Sequence, residues 1–249
     1  MIADISIIMT FHHEGLLAHY SLLGLERVRC AADRYNLSTE LICVLDRANE
    51  DTFRIVSNHP FLRQQDQIIE VDIGDPASAR NQGIKIATSE FIAIIDGDDY
   101  YSEDWLVRAQ QALTQCIEPA VCHPEWVISF GEIHCALRLP DQRFEPYSYD
   151  SLLKHHPWVV TSFGLRSTYL DIPYTPVFSN SSGFGYEDWH WNLELIHEGY
   201  LHITAPETAL YYRRKKNSVL VSHNQSHTII RPCSFFDGNR IQLRGNAGQ

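Results

Sequence analysis

Apolar residues gather in short blocks along the first hundred positions, and each block gives way to polar or charged residues. The blocks at 4–10, 40–45, 67–73 and 90–95 have strand length and are rich in isoleucine, valine and leucine. Residues 91–95, Phe-Ile-Ala-Ile-Ile, have no polar face, the pattern of a strand buried on both sides of a parallel sheet. Between the blocks, residues 14–35, 51–58 and 76–87 carry helical patterning, the last opening on Pro76. Strand and helix alternate, which predicts βαβ units on a mostly parallel sheet flanked by helices.

The second half is less regular. Residues 120–130 and 132–139 are predicted as strands around Gly131, with Cys135, Leu137 and Leu139 on one face. Residues 140–157 form a polar, aromatic-rich loop placed over any site, and 179–185 a further loop. A helix runs from Tyr186 to about His197, with Tyr186, Trp189, Leu193 and Ile196 on a shared face assigned to the core. Strands at 201–204 and 208–212 precede the basic run Arg213-Arg214-Lys215-Lys216.

The strand blocks end on Thr10, Phe11 and His12, then Asp46, then Asp96. Parallel sheets bind ligands outside the carboxyl ends of their strands, so these residues gather where a site belongs. Asp96-Gly97-Asp98-Asp99 packs like charges together, which a divalent cation and a diphosphate would relieve. By itself the cluster also fits a solvated loop ahead of a helix starting near Ser102, so both readings stand.

Net charge is −11, which argues against a nucleic-acid partner held through phosphates and favours a cation between protein and diphosphate. The six cysteines form no Cys-x-x-Cys pair and several sit in apolar segments, which fits reduced thiols in a cytoplasm. The apolar N-terminal stretch is preceded by Asp4, lacks a basic region and is too short for a signal peptide. No segment reaches membrane-spanning length, which leaves peripheral contact at the inner membrane face as the expected membrane association.

Ile7 to Phe11, Val44-Leu45-Asp46, Ala79-Arg80-Asn81-Gln82-Gly83, Ile94 to Asp99 and Glu187-Asp188 occur in an order and spacing similar to the inverting glycosyltransferases of family 2. The resemblance implies a GT-A, Rossmann-like α/β fold with a smaller mixed acceptor-side region. It divides the chain into a catalytic domain over 1–220, with a nucleotide-sugar half at 1–115 and an acceptor half at 116–220, and an extension at 221–249. It implies that Thr10, Phe11 and Asp46 line the nucleobase and ribose pocket and that Arg80 approaches the nucleotide. Asp96 would face ribose or metal, Asp98 would be the principal ligand of Mn²⁺ or Mg²⁺, and Asp99 would lie beside it. Asp188 would be the catalytic base, assisted by Glu187, and Arg213 in the late basic run would meet the diphosphate. Some relatives add a late histidine to the metal shell, for which His223 is the candidate, with His227 four residues on. The adjacent pairs His12-His13 and His155-His156 point different ways on regular structure and make poor joint ligands.

The implied activity moves a sugar from a nucleotide-diphosphate donor, with UDP-sugars favoured, to a hydroxyl of a saccharide or lipid-linked acceptor in surface polysaccharide or lipopolysaccharide assembly. Where many relatives carry two acids and a glycine after the second strand, this chain has Asp46-Arg47-Ala48-Asn49 and a single carboxylate. Alternatives remain: a sugar nucleotidyltransferase, disfavoured by a first loop with one glycine and an acid, or a non-catalytic binding module. Glu187 and Asp188 also read as first-turn acids of a helix, Asp46 and Arg80 as a structural pair, and the tryptophans as core anchors or a sugar-stacking wall.

Overall fold

The computed structural model describes residues 2–145, 147–215 and 227–236. Four parallel strands form the first part of the sheet: β1 (Ile5–Phe11), β2 (Thr39–Asp46), β3 (Gln67–Val71) and β4 (Phe91–Asp96). Their crossovers are α1 (Leu16–Arg34), α2 (Glu50–Ser57) and α3 (Pro76–Ile86). Local chemistry sets the helix starts. Asn49 caps α2 by accepting from Thr52 N at 3.0 Å, and Asp75 caps α3 by accepting from Ser78 N at 2.8 Å.

Beyond β4 come β5 (Tyr100–Tyr101), α4 (Trp105–Gln115), β6 (Ala120–Gly131), β7 (Cys135–Arg138), α5 (Tyr149–Leu152), β8 (Ser162–Leu165) and α6 (Arg166–Asp171). Then follow α7 (Ser179–Ser182), β9 (Phe184–Gly185), α8 (Glu187–His197), β10 (Leu201–Arg214) and β11 (Ile229–Ile230). The large sheet runs β3-β2-β1-β4-β8-β6-β10-β5, with β7 paired to β6. It crosses residue 115 without a break, and β5 from the first half closes the far edge against β10. The sheet is parallel from β3 to β4; β8 inserts antiparallel on both sides, and β6 pairs parallel with β10.

The predicted strands of the first half all appear. Ile5, Ile7, Ile8, Met9, Ile42, Cys43, Val44, Ile92, Ala93 and Ile94 are fully buried, as strands covered by helices on both faces require. The second half departs from expectation. The two strands expected at 201–204 and 208–212 are one, β10, with a register shift between Ala205 and Ala209 that accommodates Pro206. In β7 all four residues are exposed, so the expected apolar face is absent and only Leu139 turns inward. On α8 the deepest residues are Trp191, Asn192, Leu193 and Leu195, while Trp189 and Ile196 sit at the rim of the core. Among the described residues no helix is long and apolar enough to cross a membrane. Of the cysteines, Cys43 and Cys122 are buried, and Cys30 and Cys135 are exposed.

Candidate active site

The carboxyl ends of β1, β2 and β4 lie side by side at one edge of the parallel sheet, where such sheets hold their ligand crevice. Register sets Thr10 directly opposite Asp96. Phe11 is buried beneath Gly97, where an added Cβ would lie 2.5 Å from the Phe11 ring and 2.6 Å from the Thr10 carbonyl oxygen. Only glycine lets the β4 terminus pass this close to β1, and the pass turns the next two aspartates back over the sheet end.

Asp99 is 1 % exposed; its Oδ1 accepts from Arg213 N at 2.8 Å, and Oδ2 has no protein partner. Burial, then the neighbouring Asp98 and Asp96, push its carboxyl well above the usual range. Burial also raises Asp98, against the pull of Lys215, whose ammonium pairs with Asp98 Oδ2. Arg213 donates from Nε to the Asp98 carbonyl at 3.1 Å and lies over the rings of Phe130 and Tyr100. Lys215, not Arg213, therefore makes the ion pair with the aspartate cluster. A further acid, Glu14, joins the group; burial first, and Asp98 in addition, raise its carboxyl. The sequence offered little signal for Glu14, because it sits in a loop and its proximity to Asp98 arises only from folding.

The acids fit a hard cation. Asp98 and Asp96 offer carboxylate oxygens at the crevice, and Mg²⁺-type ions take one or two carboxylates with substrate phosphates and water. No cage of three or more His, Cys, Asp or Glu side chains exists among the described residues, so a cation here would draw its remaining ligands from the substrate and water. His223 lies outside the described residues, and His227 occupies a turn with φ of 51°.

Arg80 joins the two halves. It is buried on α3, donates from Nη1 to Glu187 Oε1 at 2.8 Å, and approaches Asp96 Oδ1 from Nη2 at 3.3 Å. Burial alone would weaken the guanidinium charge, but the Asp96 and Glu187 charges more than offset it. The structural pair is thus Arg80 with Glu187 and Asp96, not with Asp46. The Asp46 carboxylate is filled by backbone donors, Ile73 N, Gly74 N and Asp75 N at 2.8–3.2 Å. Asp75 in turn accepts from Val177 N and Phe178 N at 2.9 and 2.8 Å, so the end of β2 organises the far loop through two carboxylates.

Glu187 and Asp188 form the first turn of α8, after Tyr186 in a left-handed conformation at φ 57°. Glu187 is committed to Arg80. Asp188 is a quarter exposed, with Oδ1 accepting from Trp189 N at 2.9 Å and Oδ2 3.7 Å from His156 Nδ1. Trp191 is not a sugar platform. It is 1 % exposed, stacked between Tyr169 and Tyr174 with its Nε1 donating to Ile172 O at 2.7 Å. Trp189 stacks on His156 instead.

Comparison with known proteins bears on this arrangement. The family model of glycosyl transferase family 2 matches residues 6–128, just under half the chain. A poly(ribitol-phosphate) beta-glucosyltransferase of Bacillus spizizenii is 35% identical over 71 residues, which cover 28% of this chain and 11% of that enzyme. The fold is similar to that of TarS 1-349 from S. aureus in complex with UDP-GlcNAc, at a TM-score of 0.64 and 16% identity, covering 88% of this chain and 61% of that one. It is also similar to the mannosyltransferase PcManGT from Pyrobaculum calidifontis in complex with GDP-Man and Mn²⁺, at 0.60 and 15%, covering 89% and 60%. This chain therefore spans less than two thirds of each of these relatives, and the structural likenesses establish a GT-A fold.

Proposed function

From the match of residues 6–128 to the glycosyl transferase family 2 model, we propose that the protein is an inverting, metal-dependent glycosyltransferase using a nucleotide-diphosphate sugar. The carrying observation is the Arg80 bridge, which ties Asp96 at the end of β4 to Glu187 beside Asp188. It holds a diphosphate-side acid cluster and an acceptor-side carboxylate on one frame. UDP-sugars are the favoured donors, and the acceptor is a saccharide or lipid-linked hydroxyl of a surface polymer, in keeping with the glucosyltransferase relative.

Thr10 and the loop that Asp46 orders would border the nucleobase and ribose, with Phe11 as the floor beneath Gly97. Asp98, with Asp96, would hold the cation; when bound, it supplies Lewis-acid neutralisation of the leaving diphosphate. Lys215 and Arg213 add fixed positive charge on the same side. Asp188 takes the proton of the acceptor hydroxyl as that oxygen bonds to the anomeric carbon, while the carbon–oxygen bond to the diphosphate breaks and its electron pair leaves with the diphosphate. Attack opposite the leaving group inverts the anomeric centre. The position of Asp188 in the first turn of α8 favours its ionised form through the helix dipole.

Calorimetric titration with UDP, GDP and dTDP, each with Mn²⁺ and again with EDTA, tests the donor half. Metal-dependent binding of one nucleotide is expected and would choose the sugar panel for turnover assays. No binding with metal present would remove the diphosphate reading.

A further inference from the structure

His156 lies outside every motif that led to the site, yet it is built into it. Pro157 follows it and restricts its backbone to extended conformations. Its ring stacks on Trp189 with 5.8 Å between centroids and an interplanar angle of 10°. The Trp189 indole is pinned in turn by its Nε1 donating to Leu152 O at 3.2 Å. Both ring nitrogens face α8. Nε2 is 2.8 Å from the side-chain Nδ2 of Asn192, itself only 2 % exposed, and Nδ1 is 3.7 Å from Asp188 Oδ2.

Two neighbours select the same tautomer. The Asn192 amide donates to Nε2, which leaves Nε2 bare and puts the proton of a neutral ring on Nδ1. The Asp188 carboxylate can only accept, so it also calls for hydrogen on Nδ1. With the amide reversed, a bare Nδ1 would face a carboxylate, lone pair against lone pair. Burial holds the ring neutral, its pKa well below the usual histidine range. The 3.7 Å separation exceeds a formed hydrogen bond, as is common before substrate closes a site.

We propose that His156 is the positioning residue of the acceptor side: its Nδ1–H holds one oxygen of Asp188, so that the carboxylate presents a fixed lone pair to the incoming hydroxyl. This deepens the function proposed above and rests on Asp188 being the base. His156 takes no proton during turnover. It fixes the base as an orienting group fixes a catalytic side chain elsewhere, through a tautomer set by the bond at the other nitrogen.

The test has two arms. In the full chain labelled with ¹⁵N-histidine, long-range proton–nitrogen spectra at neutral pH report both ring nitrogens, and the His156 signals are those lost in His156→Asn. A protonated Nδ1 with a bare Nε2, shifted by Asp188→Asn, is expected. An Nε2-protonated or charged ring overturns the proposal. In the second arm, His156→Asn keeps an amide N–H near the site of Nδ1, whereas His156→Gln reaches the site of Nε2 and abandons Asp188. With a sugar nucleotide turned over by the wild type, kcat should fall about tenfold or more in His156→Gln at unchanged donor KM, and stay within about threefold of wild type in His156→Asn, a part of the 10²–10⁴ that a placed base supplies. Equal losses in both variants would reduce His156 to packing and overturn the proposal. A wild type inert toward every sugar nucleotide would sink the enzyme reading instead, and the nitrogen signals would still decide the His156–Asp188 pairing.

Discussion

The two sides of the site, the proposed donor side at the strand ends and the proposed acceptor side around α8, are made by different means. On the donor side, strand ends place the groups: Thr10 and Asp96 are register partners, Gly97 permits the tight pass over Phe11, and backbone amides fill Asp46. On the acceptor side, side chains place side chains. His156 leans on Trp189, Trp191 is held between two tyrosines, and Asn192 reaches back to the imidazole. A site built from backbone register tolerates exchange of many side chains, whereas a site built from stacked rings does not. Under the function proposed above, the first suits a substrate part common to many enzymes, a diphosphate, and the second an acceptor that differs between them.

That contrast can be broken most severely at the residue joining the sides. Arg80→Met leaves Glu187 buried without its cation and should cost about 3–5 kcal/mol of stability, read by denaturant unfolding. A loss under about 1 kcal/mol, within the range of exposed pairs, would mean that the bridge does not hold the two sides together. Asp188→Asn separates chemistry from binding: turnover should fall about 10²- to 10⁴-fold while nucleotide affinity by calorimetry stays at the wild-type value. Unchanged turnover in a folded variant would remove Asp188 as the base.

The acceptor side also carries a pH signature. His156 has a lowered value in the fold, so below the unfolded value of about 6.5 the unfolded chain takes up a proton that the native ring refuses. Its contribution is therefore complete above that pH and is lost as pH falls toward the native value, with a slope of about 1.4 kcal/mol per pH unit. Stability of His156→Asn measured from pH 7 to 4 should decline less steeply by that one proton; an identical slope would mean the ring titrates alike in both states. The smallest effect lies on the donor side. Lys215 is about one-third exposed and pairs with Asp98, so Lys215→Gln should tighten Mn²⁺ binding about two- to fivefold, the worth of such a pair. Weaker binding would show that Lys215 supports the cation site rather than competing with it.

Legibility in the sequence follows the same divide. Residues 91–99 announce both a buried strand and the acid cluster at its end because period and charge are local properties. The Arg80–Glu187 contact joins residues 107 apart, and no local pattern encodes it; family resemblance placed both residues near one site without pairing them. His156 was unreadable for a related reason. Next to His155 it looked like half of a poor ligand pair, and its use depends on Trp189 and Asn192 from a helix more than thirty residues on. Likewise β8, whose alternation of Phe163 and Leu165 with Ser162 and Gly164 is too short to read as a strand, is one because β4 and β6 offer open edges on either side of it.

The clasp between Tyr100–Tyr101 and Leu210–Tyr211, continued by Arg213 N on Asp99, has a consequence for the order of synthesis. The aspartates leave the ribosome more than a hundred residues before the bases that neutralise them. A nascent chain halted short of residue 201 would have the βαβ half able to collapse, yet Asp98 and Asp99 would face one another without Lys215 and Arg213, and β10 would be missing between β6 and β5. Such an intermediate would be open to solvent at the strand ends and would bind stray cations there, so completion of β10 is the step that converts an acidic cleft into a site.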